Sequence, residues 1–472
     1  MLLEQRRRKR RQRWLVFLMT ICAIFMATLG FKNYQEERRL NELRNATPKT
    51  LIYEMYPAAW PGGFPAMTRH LERVAELQVD YVWLAPCYPS GGVDGGYDVT
   101  DFVAIDSAYG TMEDFDEFVR TAEELGMSVV MDLVLNHTSD QHEWFQKSLA
   151  GELPYRDYYL WSVKDLGWGT MFDGSSAFEW SEQRQQYYCH IYHKSQPDLN
   201  WDNPTVLAEF EKIIDFWTLE HGVKGFRIDS VQLIGKKFVK THLSREMFGA
   251  VAGLLNYYQI SKTPQLLTKL FEGRDLFTFG EMTAPIKPMF NQMVAPRGPL
   301  SAGLNLAPSN SYDKLVGFVD IGAGIGFVKP SLERLEDELL KWGKHPGFVA
   351  MLESHDVPRF TSRANVDSKE ALSILFGADT HIVALYQGQE LGLTNPELGD
   401  DIAGYEDIQT IMRYEKAVAA GENPQEVLAR LKPESRDNAR VPIDLEEYTR
   451  QEEDEDSCLN HAKWLIENWK MR

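Results

Sequence analysis

The chain has 472 residues, 50 Lys and Arg against 69 Asp and Glu, a formal net charge of −19, and 44% hydrophobic residues. That is enough chain and enough apolar content for a full core, and it excludes wholesale disorder. The charge is segregated: the first 44 residues are basic and the body is strongly acidic, which repels phosphate backbones and argues against nucleic acid as a partner. Cys22, Cys87, Cys189 and Cys458 form no CxxC pair, so neither a disulfide framework nor a zinc site is expected.

In chain order, residues 1–13 are a basic segment and residues 14–31 an uncharged apolar run. As a helix this run spans about 27 Å, close to the roughly 30 Å hydrocarbon core. A cleaved signal peptide is the weaker reading, because its apolar region is shorter and only Thr28-Leu29-Gly30 resembles a cleavage site. Residues 14–31 are therefore expected to be a transmembrane signal-anchor, with the N-terminus cytoplasmic and the body on the other side of the membrane. Residues 32–49 read as a polar stalk.

The body alternates short β-branched runs with amphipathic stretches. Expected strands are Leu51–Tyr56, Tyr81–Ala85, Ser128–Leu135, Gly225–Asp229, Phe277–Glu281, Phe348–Leu352 and His381–Leu385. Several are apolar on both faces, as in a parallel sheet covered by helices. Helical spacing fills Met67–Leu77, Met112–Leu125, Val206–Glu220, Ser331–Trp342 and Ser368–Phe376. Repeated β-α units of this kind predict an α/β fold, either a closed (β/α)8 barrel or an open doubly wound sheet. No GxGxxG follows the first strand, which speaks against a dinucleotide cofactor; no cofactor is expected.

Polar residues decide for the barrel. Asp98, Asn136, His137, Arg227, Asp229, Glu281, His355 and Asp356 all lie at or just past the C-terminal ends of expected strands. Alone, each reads first as a cap or loop residue; together they mark the end where a barrel gathers its catalytic groups. Converging carboxylates beside His and Arg, without a Ser–His pair, suit glycosidic bond cleavage, which needs one attacking carboxylate and one protonated acid. Arg227 and Asp229 are two apart in a strand and share a face, so Arg227 is expected to keep Asp229 ionised. Glu281, among carboxylates, is expected to be the acid. Tyr97, Phe102, Trp144 and Trp201 are aromatic candidates for stacking on sugar rings, although core packing is the simpler role for each.

Over residues 50–471 the chain resembles the α-amylase superfamily of glycoside hydrolases. The motifs are Asp132-Leu-Val-Leu-Asn-His137, Gly225-Phe-Arg-Ile-Asp229, Phe279-Gly-Glu-Met282 and Glu353-Ser-His-Asp356. Gln196-Pro-Asp-Leu-Asn200, Gly96-Tyr-Asp-Val99 and Ser435-Arg-Asp-Asn-Ala-Arg440 are similar to the oligo-1,6-glucosidase and α-glucosidase branch. The resemblance implies a (β/α)8 barrel made of residues 50–137 and 201–472, with a small inserted domain at 138–200 after the third strand. It implies Asp229 as nucleophile, Glu281 as general acid/base and Asp356 as transition-state stabiliser. Asp98, Tyr97, His137, Arg227, His355 and Arg440 would grip an oligosaccharide substrate, with Arg440 meeting Asp98 to close the pocket behind the terminal glucose.

The departures also carry expectations. The loop Pro57-Ala-Ala-Trp-Pro-Gly-Gly-Phe64 has no carboxylate where many relatives hold calcium, so no metal is expected there. Ser354 stands for the family's Asn, and Val441-Pro-Ile-Asp-Leu445 for its Thr-Pro-Met-Gln-Trp. Ser230 matches neither the Val of α-1,6-specific members nor the Ala or Thr of α-1,4-specific ones. The C-terminal β-sandwich common in relatives is expected to be absent, the chain closing on a helix at Asp456–Met471. The expected activity is that of a retaining, exo-acting α-glucosidase on short isomalto- or malto-oligosaccharides. One alternative is a catalytically silent ancillary subunit, since heavy chains of amino-acid transporters resemble this family; another is a transglycosylase or a sucrose or trehalose isomerase.

Overall fold

The computed structural model describes residues 34–35, 37–236, 238, 262–282, 287–305 and 331–472. The chain divides into two compact units, Met1–Pro48 and Lys49–Arg472. In the first, residues 37–46 are helical. The expected anchor at 14–31 and the basic segment before it lie outside the described residues; among the described residues no helix is long and apolar enough to cross a membrane.

In the second unit eight strands close into a barrel: β1 (Thr50–Met55), β2 (Tyr81–Leu84), β3 (Ser128–Leu133), β7 (Gly225–Ile228), β8 (Phe277–Met282), β9 (Ala302–Asn305), β10 (Phe348–Ala350) and β11 (Ile382–Tyr386). Every neighbouring pair is parallel, from β1 against β2 round to β11 against β1. Helices such as Gly63–Glu76, Met112–Glu124 and Ser368–Gly377 separate the strands in sequence. Their ends are set locally. Thr111 and Asp114 form a reciprocal capping box at one, and Asp367 caps another. The stretch read as one helix at Val206–Glu220 is two: Pro204–Asp215, capped by Asn203, and a wider turn at Phe216–Glu220.

Strand β9 escaped the sequence reading. Ala302 and Leu304 point into the barrel, whereas Gly303 faces outward. A Cβ there would come within 2.4 Å of Met282 and 2.7 Å of Phe290, so the outer face has to be bare. A four-residue strand with glycine on one face shows neither alternation nor an apolar run.

The inserted segment holds an antiparallel sheet of β4 (Trp161–Ser162), β5 (Phe178–Ser181) and β6 (Gln186–Cys189), with β6 in the middle. At the other end of the unit, Ser457 caps the helix Cys458–Lys470, which buries Trp469 against Phe376.

Period-two alternation builds the floor of the site. Ile52, Trp83, Val130, Phe279, Val349 and Ala384 fill the barrel interior with a dry cluster. Two residues further along, on the same inward parity, β1 carries Glu54, β3 carries Asp132 and β8 carries Glu281. In β7, Arg227 lies inward beside Asp132, its register partner, with its guanidinium 5.3 Å from the centre of the Trp83 ring. The apolar layer thus ends where an ionic layer begins.

Candidate active site

Arg227 is the hub of that ionic layer. It is 1% exposed, and its Nη1 donates to Asp132 at 2.8 Å, to Asp229 at 2.9 Å and to the Tyr97 hydroxyl at 3.1 Å. Its Nη2 donates to Glu281. One positive charge thus faces three carboxylates. Burial pushes Asp229 up to about 7, with Asp132 and Asp356 adding to the rise and Arg227 opposing it. Arg227 favours the ionised form of Asp229 as expected, but the guanidinium is divided among several acceptors and burial outweighs it.

A second set surrounds Asp356, just past β10. His355 Nε2 lies 3.0 Å from Asp356 Oδ2. Arg436 and Arg440 each donate to Oδ1 at 3.2 Å, and Ser354 Oγ caps the Asp356 amide at 3.1 Å. Burial by itself would raise the pKa of this carboxyl, but His355 and the two arginines outweigh burial and hold it well below the ordinary carboxylate range. Ser354 thus supplies a local hydrogen bond at a position where the sequence departs from the family it resembles.

The loop after β2 closes one side. It turns through left-handed Gly95 and Gly96, with φ of 62° and 101°. Any Cβ on Gly95 would meet Arg440 at 2.5 Å and the Tyr56 hydroxyl at 2.8 Å, so only glycine fits beneath them. The turn sends Asp94 and Asp98 in different directions. Asp98 accepts from Ser90 Oγ at 2.6 Å and from the Val93 amide at 3.1 Å, pinning its own loop, and burial pushes it up to about 7. The expected contact with Arg440 is not made. Instead, Asp94 Oδ1 receives Arg436 Nη2 at 2.7 Å, while Arg440 binds the His355 carbonyl at 3.0 Å and Asp356. The one expected ion pair joins the right loops through other residues, because the glycine pair redirects the chain between Asp94 and Asp98.

Behind this wall, Asp407 accepts from the Arg436 amide at 3.0 Å, from Arg436 Nε at 2.7 Å and from Thr410 Oγ1 at 2.7 Å. Burial raises it, but Arg436 and Arg440 prevail and bring it down to about 2. Arg436 is thus shared among Asp94, Asp356 and Asp407.

On the inserted-domain side, Gln196 Nε2 lies 3.1 Å from both Asp94 Oδ2 and His137 Nε2. His137 is buried, and burial together with Lys236 lowers it to about 3, so it is neutral. Asn136 Nδ2 lies 3.1 Å from His137 Nδ1 and donates to Asp198 at 2.9 Å. The buried Lys236 amine binds Asn136 Oδ1 and the Leu233 carbonyl at 3.0 Å, and sits 3.5 Å from Asp198 Oδ2. Ser230, in a left-handed conformation just after Asp229, is bonded to the Tyr192 hydroxyl. Sequence reasoning missed Glu54, Asp94, Lys236 and Arg436; the last lies inside a motif that was noticed, and Asp94 lies two residues before another.

Of the aromatic candidates, Tyr97 belongs to the site, stacked on His355 at 5.4 Å. Phe102, Trp144 and Trp201 instead pack around Phe210. Among the described residues no cluster of three or more His, Cys, Asp or Glu is arranged to hold a metal.

Residues 31–456 match the family profile described as Alpha amylase, catalytic domain. Oligo-1,6-glucosidase of Bacillus cereus is 33% identical over 427 residues, 84% of this chain and 74% of that protein. Alpha-glucosidase of Schizosaccharomyces pombe is 32% identical over 441 residues, with 84% and 74% covered. The crystal structure of Bacillus licheniformis trehalose-6-phosphate hydrolase superposes with a TM-score of 0.77 at 28% identity, covering 90% of this chain and 83% of that one.

Proposed function

The chain belongs to the α-amylase family of glycoside hydrolases, and from that premise we propose that it is an exo-acting, retaining α-glucosidase that removes single glucose units from short α-glucosides. The observation that carries this reading is the pairing of Asp229 and Glu281 on the two ends of one guanidinium, with Asp356 held ionised opposite. Asp229 is the nucleophile that attacks the anomeric carbon. Glu281 protonates the departing oxygen and then removes a proton from the water that hydrolyses the glucosyl-enzyme. Asp356, already anionic, offsets the positive charge that develops on the sugar ring.

Exo action follows from the wall formed by Asp94 and Arg436. The Arg436 guanidinium binds Asp94 at 2.7 Å, and a planar ion pair of this kind would offer donors and acceptors to the terminal hydroxyls of a glucose and close the site to a further sugar. The presence of all three carboxylates favours an enzyme over a silent ancillary subunit. Glucose release from maltose, isomaltose, sucrose and trehalose tests the reading: hydrolysis of at least one supports it, and none of the four being cleaved refutes it. A product that keeps both sugars in a new linkage would instead indicate an isomerase.

The location follows from the sequence. Residues 14–31 are read as a membrane anchor that leaves the catalytic unit on the extracytoplasmic side. Membrane fractions washed at high pH should retain the protein, and a variant lacking residues 1–31 should leave them.

A further inference from the structure

Glu54 lies on β1, far in sequence from every family motif, and is fully buried directly behind His355. Its Oε1 accepts from both the backbone amide of His355, at 3.3 Å, and the ring nitrogen Nδ1. Its other oxygen has no hydrogen-bond partner among the described residues. A buried carboxylate with one oxygen engaged is costly, unless the group it binds carries a compensating charge.

Proton counting around the ring shows what that charge is. The Tyr97 hydroxyl has one proton and donates it to Asp132 Oδ2 at 2.9 Å. It therefore accepts from its other neighbours, Arg227 Nη1 at 3.1 Å and His355 Nε2 at 2.6 Å. Asp356 Oδ2, 3.0 Å from the same Nε2, is also an acceptor. Nε2 then carries a proton, and Nδ1 carries one toward Glu54. An imidazole protonated at both nitrogens is an imidazolium.

The packing agrees. The His355 ring is nearly parallel to two aromatic rings, Tyr56 at 5.7 Å and 11° and Tyr97 at 5.4 Å and 16°, with Trp83 edge-on at 6.1 Å. Stacked faces favour a cation. The charged groups around it are Glu54 on β1, Asp356 beside it, Asp132 on β3 and Arg227 on β7 through Tyr97, and Arg440, whose Nε binds the His355 carbonyl.

We propose that Glu54 is a positioning residue for the glycosidase reaction: it holds His355 as an imidazolium, which keeps Asp356 ionised. This deepens the reading above and rests on it for its kinetic consequence alone. Burial by itself would lower His355, but Asp356 and Glu54 outweigh it and raise the ring to about 9, so the charge persists across the neutral range. Without the Glu54 charge, the ring would titrate through neutrality, where a neutral imidazole no longer supports Asp356.

The test is Glu54→Gln, which keeps an acceptor for Nδ1 and removes only the charge. Relative to wild type, kcat/KM of the variant on 4-nitrophenyl α-glucoside should fall at least tenfold between pH 6 and pH 8.5, with near wild-type activity at the acid end. A purely structural role would lower both by the same factor, and a flat variant-to-wild-type ratio overturns the proposal. The charge itself is read without turnover. In wild-type protein with 15N-labelled histidine, one ring, absent from His355→Gln, should show both nitrogens protonated from pH 6 to pH 8. One unprotonated nitrogen on that ring would refute the imidazolium even if the enzyme cleaves α-glucosides. An inactive wild type with the doubly protonated ring would refute only the glucosidase reading.

Discussion

The Arg227 guanidinium bridges Asp229 and Glu281: Nη1 reaches one carboxylate at 2.9 Å and Nη2 binds the other. Both proposed reacting groups are thus fixed to one rigid plane, and neither can shift without losing a charge-assisted bond. The prediction for the nucleophile is direct. Asp229→Asn should lower kcat by at least about 10⁴-fold, because the amide cannot form the covalent ester, while thermal unfolding stays close to wild type. Activity within tenfold of wild type would mean that another group attacks.

The pH profile follows from the same cluster. Attack needs the ionised form of Asp229, and this carboxyl is raised to about 7, first by burial and then by its acidic neighbours. Its ionised fraction falls as pH drops below that value. On the acid side kcat/KM should therefore fall tenfold per unit from about pH 7 downward, instead of holding until the ordinary carboxylate range near 4. A flat profile down to pH 5 would show that Asp229 is ionised throughout.

The pocket wall distinguishes two aspartates four residues apart. Asp94→Ala removes one partner of Arg436 from the proposed pocket wall, and leaves Arg436 still bound to Asp356 and Asp407. Loss of one or two charge-assisted hydrogen bonds to a terminal hydroxyl should lower kcat/KM by about 10- to 100-fold. Asp98→Asn keeps the oxygen that Ser90 and Val93 bind, and should leave KM within about threefold. The opposite ranking would restore Asp98 as the sugar contact.

Much of the site was legible because its residues extend strands whose inward parity can be counted. Arg227, Asp229 and Glu281 follow from alternation along β7 and β8, and His355 and Asp356 from the end of β10. The illegible part has physical causes. Gly95 and Gly96 redirect the loop after β2, so spacing alone could not tell Asp94 from Asp98. Glu54 is an acid in the middle of an apolar strand, and its purpose is visible only when a histidine some 300 residues later folds against it. Lys236 likewise joins Asn136 and Asp198 only through tertiary packing. Strand β9 was hidden by the glycine its neighbours require.

Lys236 carries its own prediction. Lys236→Met fills the same volume but leaves Asp198 buried beside an apolar group. Breaking a buried pair in this way costs about 3–5 kcal/mol. Denaturant unfolding should register most of that loss. KM should rise as well, because Asn136, His137 and Gln196 form one hydrogen-bonded chain leading to Asp94. Unchanged stability would show that Lys236 is dispensable to the junction.

The central claim, a retaining α-glucosidase working through Asp229 and Glu281, is tested most directly by the anomer released first. Proton NMR of 4-nitrophenyl α-glucoside hydrolysis, recorded within the first minutes and before mutarotation, should show the α-anomeric proton of glucose appearing ahead of the β. Two displacements at the same carbon require that result. First appearance of β-glucose would mean a single displacement by water, and would contradict the assignment of Asp229 as the attacking group.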